Sequence, residues 1–296
     1  SQLMLAVLRR SATPRFCPKV LALGTRSHKL HTVGGVREWT NNRHIAFAFS
    51  SWFHAPELGM EEGQWDLLCR ATGFFCRTKV GLVAFSSDHV AFPHEYPTYF
   101  PRGPGESFEF LNAVNNDLIR HTLELRELET GRLLAQHPLR ILARHSTEDI
   151  VALQIDDESI VSSNLTLWDL ADELEASTEV SCIGLLPADD TAVGSEDEKQ
   201  IPVVENGKLE AYDDNAQDDH RLADFYVSTK TPLSVGMCGG PVCTEDGSLL
   251  GLVEGVVDGV SNREDLAWMQ DLTKVLSWGH LRNLVDEIQS HQTLNQ

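Results

Sequence analysis

From residue 43 onward the chain falls into short runs in which apolar and polar residues alternate, separated by turn residues, the signature of half-buried strands. Residues 44–53, closing on Trp52-Phe53, predict a first strand. Residues 67–75 and 80–85 flank the turn Arg77-Thr78-Lys79 and predict a hairpin; residues 118–125 and 132–143 do the same around Glu129-Thr130-Gly131. Further strands are predicted over 150–155, 179–186, a short piece near 208–212, 225–228 and 248–257, with 165–175 read as loop or a brief helix. Residues 57–64 form a polar loop, and Pro93, Pro97, Pro101 and Pro104 with Gly103 and Gly105 mark a long irregular one. Near the end, Leu276, Trp278, Leu281, Leu284, Val285 and Ile288 keep helical spacing behind a candidate N-cap, Ser277. Many short strands with one terminal helix predict an all-β fold of two antiparallel barrels packed together. The expected division is an arm over 1–40, a first barrel over 41–160, a second barrel with an acidic insertion over 161–276, and a helix and tail over 277–296.

Composition narrows what such a fold can be for. A length of 296 residues allows one large domain or two small ones with a full core. No apolar run approaches the ~20 residues needed to span a bilayer, so no transmembrane segment is expected. The net charge of −20 argues against the folded body as a binder of nucleic acid or anionic membrane. The charge is uneven, however. Residues 1–37 hold no acid but carry Arg9, Arg10, Arg15, Lys19, Arg26, Lys29 and Arg37. Such a stretch reads as an organellar transit peptide, with Met4 a candidate initiator, and predicts a mitochondrial location, the matrix in particular. The alternatives are a disordered tail and a retained basic arm able to contact RNA, anionic lipid or an acidic partner. Asp189, Asp190, Glu196, Asp197, Glu198, Asp213, Asp214, Asp218 and Asp219 make the opposite patch, read as solvated loop. The six cysteines at 17, 69, 76, 182, 238 and 243 contain no CxxC pair, which predicts reduced thiols and no zinc; no cofactor or metal is expected.

The candidate chemistry sits in Gly236-Met237-Cys238-Gly239-Gly240-Pro241-Val242. A nucleophile between glycines is set on a tight turn that aims its side chain outward, with bare amides beside it to hold an oxyanion. Cys238 would attack a carbonyl, and the N–H groups of Gly236 and Cys238 would stabilise the charge on its oxygen. Taken alone, Cys238 reads more readily as a small buried hydrophobe than as a nucleophile.

Three segments together resemble the trypsin-fold peptidases, and within them the HtrA/Deg branch. Thr72-Gly73-Phe74-Phe75, then residues 81–91 with His89 before Val90, is similar to the family's strand-and-histidine block. Glu129-Thr130-Gly131-Arg132 through the strand Glu148-Asp149-Ile150-Val151-Ala152-Leu153 is similar to its aspartate block. The glycine turn and Asp246-Gly247-Ser248-Leu249-Leu250-Gly251 match the nucleophile turn and the hairpin after it. The resemblance spans about residues 64–288. It implies two six-stranded barrels and assigns His89 as general base, Asp149 as its orienting carboxylate and Cys238 as nucleophile.

The departures shape the expected function. Cysteine stands where the cellular family has serine, a replacement that resembles the viral chymotrypsin-like cysteine proteases. Pro232 and Leu233 stand six and five residues before the nucleophile and, with Glu254, are the candidate lining of a primary pocket that is apolar or closed. The peptidase-like unit is expected without the PDZ module of HtrA proteins. Two functions follow. One is peptide-bond hydrolysis by a His-Asp-Cys triad through a thioacyl intermediate, acting on a peptide or protein substrate. The other is a catalytically silent, protease-derived structural subunit of a large mitochondrial assembly such as a ribosome or respiratory complex. A peptide-binding cleft without turnover is a third reading.

Overall fold

The computed structural model describes residues 46–127, 129–169, 179–187, 198–212, 222–234, 236–257 and 267–294. The basic arm, Cys17 and every acid of the acidic patch over 189–219 named above except Glu198 lie outside these residues.

The first barrel is built from β1 (Phe47–Phe53), β2 (Asp66–Thr78), β3 (Gly81–Ser86), β4 (Ile119–Arg126), β5 (Leu133–Arg144) and β6 (Val151–Ile155). Its antiparallel order is β1-β4-β5-β6-β3-β2, closed by β1 against β2. β2 is long enough to serve two partners: its first half pairs with β1 and its second half with β3, Phe74 facing Phe85. Between the barrels run the short α2 (Glu158–Asn164), whose N-cap Asp157 accepts from Ser159 N at 3.0 Å, and β7 (Leu167–Asp169), which adds to β2 in parallel. The second barrel holds β8 (Glu179–Pro187), β9 (Gln200–Tyr212), β10 (Phe225–Thr229), β11 (Pro241–Thr244), β12 (Leu249–Val256) and β13 (Thr273–Ser277). It closes in the order β10-β13-β12-β11-β8-β9. Two six-stranded antiparallel barrels and a terminal helix are thus the architecture, as the alternation pattern and the resemblance predict.

Each barrel has its own interior. Phe47, Phe49, Phe75, Leu123, Val151 and Leu153 fill the first, and Val180, Phe225, Val227, Met237, Val242 and Val275 the second. A third cluster, formed where the barrels meet, contains Phe74, Phe85 and Ile150 from one, Ile183, Leu249 and Leu252 from the other, and Leu281, Leu284, Val285 and Ile288 from α3 (Trp278–Leu294). A strand has two faces, so a residue turned away from a barrel interior is free to pack between barrels. In β5 a bulge between Ile141 and Ala143 makes that switch: Ile141 packs inside the first barrel while Leu142 turns to the junction.

The differences from the sequence pattern have local causes. β9 is a thirteen-residue strand, of which the pattern predicts only the last five, because Pro202, Glu205 and Asn206 break the alternation. What reads as acidic insertion therefore contains an integral strand paired with β8 and β10. β11 is four residues long and hidden behind the glycine turn. β13 ends where the helix begins, so Leu276 belongs to the strand although its spacing suits the helix; Ser277 Oγ accepts from Gly279 N at 3.4 Å.

Candidate active site

His89 lies on α1 (Asp88–Ala91), a single turn that follows β3 directly. Asp149 ends the loop that enters β6. Its Oδ1 accepts from His89 N at 2.7 Å, its Oδ2 bonds His89 Nδ1, and its carbonyl accepts from Asp88 N at 3.4 Å. Backbone and ring are thereby held by one carboxylate, with both residues buried. Asp88, also buried, is fixed from outside: Arg144 Nε donates at 2.7 Å to its Oδ1 and Tyr96 Oη at 2.6 Å to its Oδ2. Burial disfavours the imidazolium of His89. The charge and hydrogen bond of Asp149, joined by a hydrogen bond to the Cys238 side chain, outweigh that cost and hold the ring's pKa up at about 10.

The half-buried Cys238 comes from the other barrel, on the turn between β10 and β11. That turn is anchored to the first barrel by one residue. Thr72 N donates to Cys238 O at 3.1 Å, while Thr72 Oγ1 donates to Gly236 O at 2.6 Å and accepts from Leu185 N at 2.9 Å. Gly236 has φ +105° and a Cβ there would lie 2.7 Å from Leu185 O; Gly239 has φ +81° and a Cβ would run into Thr72 O. Neither position tolerates a side chain, because the backbone is left-handed and the neighbouring strand touches it. The amides of Met237, Gly239 and Gly240 are occupied by Ser234 O at 3.3 Å, Val253 O at 2.8 Å and Met237 O at 3.0 Å. The N–H groups of Gly236 and Cys238 have no acceptor among the described residues. Two bare amides flanking a thiol, with a charged imidazole beside it, can stabilise an oxyanion and supply a proton.

The structure thus brings His89, Asp149, Cys238 and Gly236 together at the junction of the barrels. Of the pocket candidates, Leu233 is buried in the interior of the second barrel with Met237, and Pro232 is exposed beside it. Glu254 lies nearer the triad. It is the extra residue of a bulge in β12, between Val253 paired with Val275 and Gly255 paired with Lys274, and the bulge turns its side chain towards the first barrel. Burial raises the pKa of Glu254, opposed by Lys274, whose Nζ sits 2.6 Å from Oε2.

Tyr99 is a residue that sequence reasoning missed. Its ring stacks on the imidazole of His89, centroids 4.7 Å apart and planes 18° from parallel. The available signal was Phe92, Tyr96, Tyr99 and Phe100 clustered in the proline-rich loop just after the histidine. Glu148, Asp224 and His280 bring potential metal-ligand atoms within 4.8 Å of one another. Asp224 is already partnered by Lys274 Nζ at 3.4 Å, and the His280 Nε2–H donates to Leu222 O at 3.0 Å, so the cluster reads as an ion-pair network. Asp224 holds the pKa of His280 above its ordinary value against the effect of burial.

Two barrels with a histidine–carboxylate pair on one and a glycine turn on the other define a peptidase-like architecture. A family model described as the trypsin-like peptidase domain matches residues 71–252, more than half of the chain, and the chain belongs to that family. No curated protein matches it significantly. None of the described helices is long and apolar enough to cross a membrane.

Proposed function

We propose that the protein is a cysteine-type endopeptidase of the trypsin-like family, of the HtrA/Deg branch, using Cys238, His89 and Asp149. The observation that carries this reading is the environment of His89: Asp149 on Nδ1, the Cys238 thiol on the other side, and a pKa of about 10. An imidazole held charged at neutral pH is a poor base for an alcohol, but it is the correct partner for a thiolate. The Cys238 thiolate attacks the scissile carbonyl carbon, and the oxyanion is met by the amides of Gly236 and Cys238. The tetrahedral adduct collapses as His89 gives its proton to the departing amine, leaving a thioacyl enzyme. His89, now neutral, takes a proton from water as it attacks the thioester; the acid departs and Cys238 returns as thiolate paired with the imidazolium.

The test is mass-spectrometric mapping of a peptidyl acyloxymethyl ketone on wild type and His89→Ala, with thermal melts showing both folded. Labelling at Cys238 that disappears in the variant is the expected result. Equal labelling of both proteins would defeat the reading and favour the silent structural subunit. A mitochondrial location is carried as part of the same proposal, supported by the acid-free, basic residues 1–37.

A further inference from the structure

A helix of four residues cannot stand on its own hydrogen bonds, because the first turn costs more in backbone order than it returns. α1, which carries His89, is held instead from outside at each residue. Asp149 Oδ1 accepts from the amide of His89 at 2.7 Å, Ser51 Oγ donates to Val90 O at 2.6 Å, and the Nε2–H of His121 donates to Ala91 O at 3.1 Å. The two ends share one partner. Asp88 begins the turn, and Phe92 closes it through its amide, which donates to Asp88 O at 2.8 Å. Arg144 takes hold of both. Its Nε and Nη2 donate to Asp88 Oδ1 and Oδ2 at 2.7 and 2.5 Å, and its Cζ lies 4.1 Å from the centre of the Phe92 ring. Nη2 also donates to Glu95 Oε2 at 2.6 Å, and Tyr96 Oη donates to Asp88 Oδ2 at 2.6 Å.

The place of Arg144 in the fold gives this grip its consequence. It is the last residue of β5 and pairs with Val151, the first residue of β6, two positions after Asp149. One guanidinium thereby fastens the turn that bears His89 to the strand pair that presents Asp149. We infer that Arg144 is a positioning residue: by gripping both ends of α1 it fixes the His89 ring between Asp149 and Cys238. It acts through Asp88 and Phe92 and takes no proton or substrate atom itself. The planar fork is essential, because an ammonium cannot give two parallel bonds to a carboxylate while lying on an aromatic face. The inference rests on the peptidase reading above and adds a residue to its machinery.

The experiment follows the rate of Cys238 labelling by the peptidyl acyloxymethyl ketone against pH, with melts showing each protein folded. Arg144→Lys keeps a charge opposite the buried Asp88 but cannot span both oxygens or lie on Phe92. Asp88→Asn/Arg144→Met removes both charges together, so neither member of the pair is stranded. Each variant is expected to label at least about five-fold more slowly at neutral pH, as a displaced imidazole would cause. The midpoint of the pH profile is expected to rise by about one unit, because a thiol whose imidazolium partner has moved away keeps its proton to higher pH. A role confined to stability would leave that midpoint unmoved in the folded protein. Slowing of less than about five-fold in either variant, or slowing with an unmoved midpoint, would overturn the inference and leave the peptidase reading intact. Wild type that resists labelling, or that His89→Ala matches, would overturn both.

Discussion

His89 carries more of the site's electrostatics than any other residue. Its ring is buried, which alone would leave it neutral, yet Asp149 and Cys238 lift its pKa from 6.5 to about 10. Such a shift links protonation to folding. Below pH 6.5 folded and unfolded chains both hold the proton and the stabilisation is fully present; as the pH rises through about 10 it is lost. The stability of wild type relative to His89→Gln is therefore expected to fall between these two values, as urea titrations at either end would register. A difference that stays flat across the window would mean that the imidazole is not held charged. The residues able to form this pair were legible in the chain, because His89 and Asp149 each adjoin a recognisable strand. The aromatic cover was not. Nothing in the spacing of Tyr99 distinguishes a ring lying over His89 from one facing solvent.

At the scale of elements, the glycine turn depends on β2 as much as on its own glycines. Thr72 satisfies Cys238 O, Gly236 O and Leu185 N from within one strand, fully buried. Thr72→Val preserves the shape and the backbone bond but strips the hydroxyl from two buried partners. It is expected to cost about 1–3 kcal/mol of stability, measured by chemical denaturation, and to slow Cys238 labelling as the turn loosens. Thr72→Ser, which retains the hydroxyl, is expected to restore most of both. Most strands and the terminal helix were legible because their periodicity is local. β7, the first eight residues of β9, β11 and β13 were not. Their residues become strands by pairing with neighbours remote in sequence, and a proline, a short length or an adjoining helix masks their pattern.

Across the whole molecule, the barrels are joined by the apolar cluster beneath α3 and by a buried ionic tie at the opposite kind of contact. Arg70 of β2 reaches Glu124 of β4 at 3.0 Å and Glu198 at 3.2 Å, while Arg126 bonds Glu124 and donates to Glu198 O at 2.5 Å. Glu198 precedes β9, so the tie attaches the second barrel to the wall of the first; Gln200 N adds a bond to Gly131 O at 3.0 Å. Two arginines and two glutamates balance, and all four side chains are buried. Glu124→Ala would leave two buried guanidinium groups with Glu198 as their one remaining carboxylate in the tie, and is expected to lower stability by about 3–5 kcal/mol in denaturant titrations. A loss below 1 kcal/mol would show that water or other acids replace it.

The chain by itself determined most of its strands, its terminal helix and the residue types from which the candidate site is built, because alternation, turn chemistry and glycine placement act over a few neighbouring residues. Only the tertiary structure decided which strand closes each barrel, that Glu198 leaves an acidic run to become a buried ionic partner, and that a bulge aims Glu254 across the cleft at Tyr99. Each of those outcomes depends on contacts between residues far apart along the chain. Their burial and charge are set by partners that no local pattern contains.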